Sequence, residues 1–480
     1  MVTFLLGHIE TTVPHLDTNT TVLEYLREHL CRTGTKEGCA SGDCGACTAV
    51  VAEVVDNQLN YQSINTCIAP LMTLHGKQLI TVEDLAEGYR LHPVQQAMVD
   101  CHGSQCGFCT PGFVMSIFAH CKNARSNDLE DICESLGGNL CRCTGYRPII
   151  EAVRQLSEQS AKDHFSANEE KTMAALCSIS ALKTELNLCH RNHRFFAPTA
   201  ASQLARLIDQ YPDARLLAGG TDLYLEVTQQ LRPLETQIYV GAVAELRQIS
   251  TTVSHLEIGA AVTYSELQPR LVAQYPDLKE LLDRLGSRQI RNRGTLGGNI
   301  GNASPIGDMP PVLIAVGASL ILGNADGSRE IPTEEYFLGY KKTALAPGEF
   351  IQSIRIPLPH PSQFFRTYKI SKRIEDDIST TCGAFNVTLD GDTVSRVRIA
   401  FGGMAEIPKR ASACEAAMMG QRWCQATINS AMAALANDFS PISDFRSSSD
   451  YRMQVSQNML RRLFAEQQHC SGYVRVTQHA

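Results

Sequence analysis

Cysteines are concentrated in the first third of the chain, and this uneven distribution limits what the chain can fold into. Twelve of the 18 cysteines lie at or before Cys143. The first residues, MVTFLLGHIE, lack the basic segment and cleavage site of a secretory signal, so we expect a cytoplasmic location. In that reducing compartment, clustered cysteines indicate metal ligation or redox chemistry rather than a disulfide framework.

The first cysteine group lies in KEGCASGDCGACTAVV, which contains Cys39, Cys44 and Cys47 and is followed by Cys67. The spacing C-x4-C-x2-C with a distant fourth cysteine is typical of a plant-type 2Fe–2S cluster. Interspersed glycines allow a tight loop that brings backbone N–H groups close to an anionic cluster. A structural zinc site is the alternative, although zinc sites more often use two knuckles of two ligands each.

The second group consists of two close pairs, Cys106-x2-Cys109 and Cys141-x-Cys143. Each pair precedes helix-like sequence, and a helix N-terminus favours thiolates and anionic clusters. The spacing of Cys141 and Cys143 suits two thiolates on one iron of a 2Fe–2S centre. From spacing alone, zinc remains open as an alternative at this site.

Residues 1–150 resemble the xanthine dehydrogenase/molybdenum hydroxylase family through GSQCGFCTPGF (103–113) and NLCRCTGYRP (139–148). The resemblance implies that each cysteine group binds one 2Fe–2S cluster. The implied ligands are Cys39, Cys44, Cys47 and Cys67 for the first cluster, and Cys106, Cys109, Cys141 and Cys143 for the second. The other early cysteines are interpreted as small core residues; they are Cys31, Cys101, Cys121 and Cys133.

Two glycine-rich stretches follow, RLLAGGTDLYLEV (215–227) and RNRGTLGGNIGNASPIGDMPP (291–311). Backbone amides around paired glycines can cradle a pyrophosphate. No G-x-G-x-x-G follows a strand, so a Rossmann site is not supported. Taken alone, the first stretch could be a plain turn and the second a flexible loop.

Together the two stretches resemble the FAD-binding domain of the same family, which is of the vanillyl-alcohol-oxidase type. The resemblance implies contacts to the FAD diphosphate from Leu216, Leu217, Ala218, Gly219, Gly220, Thr221, Asp222 and Leu223. It implies further FAD contacts from Thr295, Gly298, Asn299, Asn302, Ser304, Asp308 and Lys369. It also places the acidic turn Glu375–Asp377 near the flavin ring and Tyr340 beside the nicotinamide, whereas Leu285 departs from the aromatic residue of mammalian members.

Over about residues 1–470 the resemblance implies an α+β multidomain chain. The domains expected, in order, are a β-grasp 2Fe–2S ferredoxin domain, a four-helix 2Fe–2S domain, a polar linker, the FAD-binding domain and an α+β flavoprotein C-terminal domain. Their expected ranges are 1–76, 77–155, 156–188, 189–360 and 361–472.

Local patterns add four predictions. TTVLEYLREHL (20–30) is amphipathic and predicts a helix, and Thr110 is the predicted N-cap of another. The apolar run PVLIAVGASLILG (311–323) is interpreted as buried strand and turn, and Asp390-Gly391-Asp392 predicts a hairpin.

The resemblance further implies an electron-transfer subunit that passes electrons through two clusters to FAD and then NAD. Xanthine or hypoxanthine would be oxidised on a separate large subunit holding the molybdopterin, in an assembly of two small and two large chains. No catalytic residue is predicted in this chain. The alternatives are the same module of an aldehyde or other N-heterocycle oxidoreductase, or a stand-alone redox or zinc protein.

A net charge of -7 counts against nucleic acid as a partner, and the longest apolar run is too short to span a membrane.

Overall fold

The computed structural model describes residues 1–156, 163–181 and 185–468. Its contacts divide the chain into two compact units. The first unit contains residues 1–207, 213–243 and 286–294, and the second contains 208–212, 244–285 and the chain from 295 on. The region 189–360, predicted as one FAD domain, therefore contributes to both units. In the described parts of the chain, no helix is long and apolar enough to cross a membrane.

The first unit begins with a five-stranded mixed sheet. Val2–Leu6 pairs antiparallel with Ile9–Val13 and parallel with Gln78–Ile80, while Thr48–Val55 and Gln58–Asn65 complete the sheet. The predicted helix at 20–30 is present as Val22–Glu24, which continues into a π-helix at Tyr25–His29. Short 3-10 turns cover Thr66–Ile68, Leu71–Leu74 and Val82–Asp84. This arrangement is the β-grasp fold that the resemblance implied.

Four helices follow the sheet, as predicted: Pro93–Asp100, Thr110–Lys122, Leu129–Leu136 and Arg147–Leu156. Phe113, Ile117 and Phe118 form the buried face of the second helix. Its N-cap is Cys109 rather than the predicted Thr110, which is the first helical residue. The helix therefore begins directly at a cysteine of the second group.

The segment 156–188, predicted as a linker, differs from expectation. Residues 157–162 and 182–184 lie outside the described residues, but His164–Ala167 and Glu169–Ala181 are helices. Phe165 is buried, with its ring centroid 5.2 Å from that of Phe118. The carboxylate of Asp163 contacts His92 and Lys122. These contacts, together with the buried side chains of Leu176 and Ile179, attach a polar segment that shows no clear periodicity in sequence.

The remainder of the first unit contains a four-stranded sheet in which Thr236–Tyr239 lies between and parallel to His193–Ala197 and Arg215–Leu217. The fourth strand is Leu186–His190. Helical segments in and around this region are Ala201–Gln210, Leu225–Thr228, Val240–Ala242 and Arg288–Arg291.

The second unit contains a five-stranded antiparallel sheet. In spatial order its strands are Ile249–Thr251, His255–Gly259, Phe350–Pro357, Ser319–Gly323 and Ser328–Pro332. Its helices are Glu245–Arg247, Tyr264–Gln274, Leu278–Asp283, Leu296–Gly301, Met309–Val316 and Thr333–Tyr336. A two-stranded ribbon joins Phe337–Gly339 to Lys342–Thr343.

The C-terminal part of the second unit is a four-stranded antiparallel sheet with three helices. Its strands are Gln363–Ile370, Thr381–Asp390, Thr393–Gly402 and Lys409–Arg410, and its helices are Ser412–Met418, Gln425–Asp438 and Ser449–Gln467. The predicted hairpin is confirmed, since Asp390 pairs with Thr393 across the turn. Residues 469–472 of the predicted domain lie outside the described residues.

The interpretation of 311–323 as strand and turn is wrong in its first half. Met309–Val316 is a buried helix that has two prolines in its first turn and ends at Gly317, whose φ is 74°. Only the second half forms a strand, Ser319–Gly323. A short apolar run does not by itself distinguish a buried strand from a buried helix, and Pro310 and Pro311 in the first turn favour the helix.

Candidate cofactor sites

The first cysteine group is folded around the tight loop that the glycines predicted. Gly42 and Gly45 have φ values of 84° and 69°. The sulfur of Cys39 accepts hydrogen bonds from the backbone N–H groups of Ser41 and Cys44, each at 3.4 Å. A Cβ added at Gly38 would lie 2.6 Å from the Cys44 sulfur, so any larger residue there would displace that sulfur.

The sulfurs of this group approach one another in two pairs. Hydrogen bonding with Cys44 lowers the pKa of Cys39 to about 4 and raises the pKa of Cys44. The sulfurs of Cys47 and Cys67 are 3.3 Å apart. Their hydrogen bond lowers the pKa of Cys47 and raises that of Cys67, and the Cys39 charge also acts on both thiols. All four cysteines predicted as ligands are therefore brought into one site.

The second group lies at two helix N-termini, as predicted, because Cys109 caps Thr110–Lys122 and Arg147–Leu156 follows Cys143. The sulfur of Cys141 accepts hydrogen bonds from the Thr144 hydroxyl at 3.1 Å and from its N–H at 3.4 Å. Although burial opposes them, these bonds lower the pKa of Cys141. The contribution of Thr144 was not foreseen, although its place in CRCT directly after the cysteines is a usable signal.

The sulfurs of the second group also approach one another in pairs, whereas the assignment of Cys141 and Cys143 to one iron stays a prediction. Burial, together with a hydrogen bond to Cys141, raises the pKa of Cys109 to about 12. A hydrogen bond to Cys106 raises the pKa of Cys143. The sulfurs that meet are therefore Cys109 with Cys141 and Cys106 with Cys143. Two separate chain segments each contribute one sulfur to each pair, which sequence spacing could not reveal.

These donor sets fit 2Fe–2S clusters. Such a cluster has two irons, and each iron takes two thiolates from the protein. Each group provides four sulfurs as two pairs, together with backbone N–H donors. The fit rests on these paired sulfurs and not on a preformed metal geometry, because in residues 1–156, 163–181 and 185–468 no three or more His, Cys, Asp or Glu side chains are already placed to hold a metal ion.

The two groups differ in exposure. Cys47 and Cys67 are buried, whereas Cys106 and Cys143 are exposed. The exposed pair is accompanied in sequence by two exposed apolar side chains, Phe108 at 48% and Leu140 at 51%. The interpretation of the remaining early cysteines as core residues is wrong for Cys31 and Cys133, which are exposed. Cys101 and Cys121 are partly buried.

The two cysteine groups are joined by a direct hydrogen bond, from the N–H of Leu140 to the carbonyl of Cys44 at 3.0 Å. A buried polar network surrounds this junction. The Asn139 amide donates to the Gly45 carbonyl at 3.0 Å and accepts from Ser116 at 2.6 Å and from Gln289 at 3.1 Å. Neither Asn139 nor Gln289 was singled out in sequence, because a single buried amide has no distinctive pattern.

The first predicted flavin segment, residues 216–223, lies in the first unit after the strand Arg215–Leu217. A Cβ added at Gly219 would lie 1.9 Å from the carbonyl oxygen of Arg293, so this position requires glycine. Gly220 has φ 78°, and a Cβ there would lie 3.2 Å from the carbonyl oxygen of Ile68, the neighbour of Cys67. The loop is therefore closely packed beside the first cysteine group.

The other predicted flavin residues lie in the second unit. Thr295 caps the helix Leu296–Gly301, and its hydroxyl accepts from the N–H of Gly298 at 2.9 Å. Lys369 and Asp308 form a buried ion pair at 2.8 Å, and Ser379 donates to the same carboxylate. The hydroxyl of Ser304 accepts from the N–H of Ile306 at 3.4 Å, and Asn302 follows the helix as its C-cap.

Two buried polar atoms of the second unit have no hydrogen-bond partner in the part of the chain that the structure describes, as expected where a nucleotide binds. The side-chain oxygen of Asn299 and the hydroxyl of Tyr264 are buried and have no hydrogen-bond partner among the described residues. Buried polar groups are normally paired, so such atoms indicate where a ligand can bind. Tyr264 was not predicted as a site residue, and its position inside a helical pattern gave no signal.

Three further residues of the predicted flavin region lie in the second unit. Leu285 is nearly buried at 9% exposure, and Tyr340 is exposed at 60%. In the acidic turn, Asp377 accepts hydrogen bonds from the N–H groups of Arg373 and Ile378. These contacts fix the turn locally and leave the predicted roles of these residues as predictions.

Comparison with protein families gives four matches that together cover most of the chain. A 2Fe-2S iron-sulfur cluster binding domain matches residues 7–72, and a [2Fe-2S] binding domain matches 81–154. The FAD binding domain in molybdopterin dehydrogenase matches 191–359, and the CO dehydrogenase flavoprotein C-terminal domain matches 366–467.

Curated relatives include xanthine dehydrogenase from Emericella nidulans, 35% identical over 91% of this chain and 36% of that protein. Xanthine dehydrogenase/oxidase from Gallus gallus is 32% identical over 89% of this chain and 37% of that protein. The chain thus spans little more than a third of the length of these relatives.

Similar solved structures include a carbon monoxide dehydrogenase from Hydrogenophaga pseudoflava, with a TM-score of 0.54 and 30% identity. The match covers 57% of this chain and 96% of that one. Quinoline 2-oxidoreductase from Pseudomonas putida 86 has a TM-score of 0.52 and 25% identity, over 56% of this chain and 94% of that one.

Proposed function

Since the chain belongs to the molybdenum hydroxylase family, as its iron–sulfur and FAD-binding part, we propose that it is the electron-transfer subunit of a NAD-dependent xanthine dehydrogenase. The whole enzyme converts xanthine, water and NAD⁺ to urate, NADH and a proton, and acts on hypoxanthine in the same way. The purine is oxidised on a separate large subunit that carries the molybdopterin, in a cytoplasmic assembly of two small and two large chains.

The observation that carries the proposal is the series of contacts within the first unit. The second cysteine group is joined to the first by the Leu140–Cys44 hydrogen bond. The first group adjoins the predicted flavin loop, because Gly220 lies against the carbonyl of Ile68. Two cysteine groups and the predicted flavin loop, each in contact with the next, suit a chain that conducts electrons and performs no substrate chemistry itself.

When bound, the clusters carry single electrons and FAD accepts two of them for hydride transfer to NAD. The residues of this chain hold these groups and set their surroundings. Thiolates favoured by backbone N–H donors would bind the irons, and the Gly219–Gly220 turn belongs to the segment proposed to hold the diphosphate. The buried pair Asp308–Lys369 provides fixed charges in the second unit.

The surface around the second cysteine group supports docking of a partner subunit. Cys106 and Cys143 are exposed, and so are the apolar side chains of Phe108 and Leu140. Apolar side chains grouped at an exposed redox site are typical of a protein–protein contact. We propose that the molybdopterin subunit covers this surface and delivers its electrons there.

The proposal is tested by purifying the chain anaerobically, alone and co-expressed with a candidate large subunit. The chain alone is expected to contain about four irons, with labile sulfide, and one FAD. It should reduce an artificial dye with NADH but form no urate from xanthine. The complex should couple xanthine oxidation to NAD reduction. Zinc in place of iron, or urate formation by the isolated chain, would contradict the proposal.

A second candidate function is the same module in an enzyme with a different substrate. The similarity to quinoline 2-oxidoreductase and carbon monoxide dehydrogenase favours it, because none of the predicted roles in this chain involves the organic substrate. Turnover of a panel of purines, aldehydes and N-heterocycles by the co-purified complex separates the two. Turnover of aldehydes or quinolines without xanthine oxidation would favour the second candidate.

A further inference from the structure

The buried hydroxyl of Tyr264 is unsatisfied at a position where the rest of the side chain is well packed. Tyr264 is the first residue of the helix Tyr264–Gln274 and is 2% exposed. Its hydroxyl has no hydrogen-bond partner in residues 1–156, 163–181 and 185–468. A buried hydroxyl without a partner costs free energy, so a protein retains one where a ligand completes it or where packing tolerates it.

The surroundings of Tyr264 favour a ligand. The segment before it runs alongside the loop that contains the predicted flavin residues of the second unit. The N–H of Leu296 donates to the carbonyl of Val262 at 3.3 Å, and the N–H of Gly297 donates to that of Ala260 at 3.1 Å. Thr263 and Thr295 form an isolated antiparallel bridge. Tyr264 therefore enters the protein directly beside Thr295.

A second unsatisfied atom lies in the same loop. The side-chain oxygen of Asn299 is buried and unpaired among the described residues, and a Cβ added at Gly307 would lie 3.4 Å from it. Next to Gly307, Asp308 already binds Lys369 and Ser379. Burial raises the pKa of Tyr264, and the charge of Asp308 raises it further, so the hydroxyl stays protonated and acts as a donor.

We propose that Tyr264 is a binding residue for the flavin nucleotide and that its hydroxyl donates a hydrogen bond to it, while the Asn299 oxygen accepts one from it. A flavin dinucleotide offers both kinds of partner, phosphate and ring oxygens as acceptors and ribose or ribityl hydroxyls as donors. The inference rests on the proposed flavin function. It adds a residue outside both glycine-rich stretches, with a role distinct from packing.

The test is Tyr264→Phe in the full chain, which removes the oxygen and keeps the ring. FAD dissociation constants are measured by flavin fluorescence on flavin-depleted protein, and melting temperatures are measured with and without FAD. One lost hydrogen bond predicts a Kd about three- to tenfold higher. The melting temperature without FAD should be unchanged or higher, because the variant no longer buries an unpaired hydroxyl.

Tyr275→Phe is the matched control. This tyrosine caps the same helix and is buried, but its hydroxyl donates to the carbonyl of Pro357 at 2.7 Å. The control should melt at a lower temperature without FAD and bind FAD with a Kd within about twofold of wild type.

Two results overturn the inference while leaving the flavin function intact. One is an unchanged Kd in Tyr264→Phe although wild type binds FAD. The other is a fall in the melting temperature without FAD equal to that of Tyr275→Phe, which would show that the hydroxyl is satisfied within the protein. If wild type itself binds no FAD at saturating concentration, the flavin function and this inference are both wrong.

Discussion

The N–H of Leu140 donates a 3.0 Å hydrogen bond to the carbonyl of Cys44, so one bond joins the segments that carry the two cysteine groups. Cys141 follows Leu140 directly. The geometry of one group is therefore fixed relative to the other through the backbone, and the buried amides of Asn139 and Gln289 surround the bond. The stability of this junction and the chemistry of each group can be tested separately.

Asn139→Ala is expected to destabilise the first unit by about 2–4 kcal/mol, because several buried partners lose a hydrogen bond at once. The partners affected are Gly45, Ser116 and Gln289. Denaturant unfolding at matched iron content measures the change. Asn429→Ala, at an exposed position on Gln425–Asp438, serves as control and should change stability by less than about 0.5 kcal/mol. Equal effects for the two variants would show that the network contributes nothing specific.

Cys143→Ser is expected to remove the second cluster and leave FAD bound. A serine hydroxyl is far less acidic than a thiol and is a poor ligand for iron. Iron should fall from about four to about two per chain, and one of the two cluster EPR signals should disappear. NADH–dye activity should persist, whereas xanthine-dependent NAD reduction by the complex should collapse. Cys31→Ser, at an exposed cysteine outside both groups, should behave as wild type. Survival of both signals in Cys143→Ser would exclude Cys143 as a ligand.

Glu134→Gln is expected to lower the free energy of unfolding at pH 7 by about 1–3 kcal/mol. Although burial opposes ionisation, the charges of Arg288, Arg291 and Arg125 hold the pKa of Glu134 below its ordinary value of 4.5. The carboxylate therefore stabilises the folded protein above that pH, and the contribution is lost as the pH falls through the folded-state pKa.

The measurement is the difference in unfolding free energy between wild type and Glu134→Gln across pH. It should be constant from pH 8 to about 6 and should shrink below 4.5. Glu130→Gln, at an exposed residue of the same helix, should show no comparable loss at pH 7. A difference that grows as the pH falls would contradict a lowered pKa for Glu134 in the folded protein.

Gly219→Ala is expected to displace the first flavin loop, because the new Cβ would lie 1.9 Å from a backbone oxygen that cannot rotate away. The free energy of unfolding should fall by about 2 kcal/mol or more. The variant should lose FAD and keep both clusters. Gly391→Ala is the control. Its φ is 59° and nothing lies within 4 Å of the added Cβ, so it incurs only backbone strain of about 1 kcal/mol. Full FAD occupancy in Gly219→Ala would show that this loop is not part of the flavin site.

The features that were predictable from sequence have a local cause. The C-x4-C-x2-C loop, the helices that begin at Thr110 and Arg147, and the hairpin at Asp390 all depend on residues close together in the chain. Spacing and turn chemistry suffice for such features. The eight cysteines are accordingly brought together in the two groups expected.

The features that were missed depend on tertiary packing. Spacing does not reveal the sulfur contacts of the second group, in which Cys141 and Cys143 each meet a cysteine more than thirty positions earlier. The helix around Phe165 lies in a segment that is polar in sequence, and its few buried side chains show no clear pattern before the fold is known. An unpaired hydroxyl such as that of Tyr264 becomes visible only when all its neighbours are known.

The unequal exposure of the two cysteine groups has a consequence for the chain before any iron has been inserted. Cys106 and Cys143 can be reached by peroxide and by alkylating reagents, whereas Cys47 and Cys67 are shielded by the surrounding side chains. Of these two pairs, the outer one is therefore the more accessible to such reagents in a newly synthesised chain. Early iron insertion, or early coverage of that surface, protects the thiols that solvent reaches most readily.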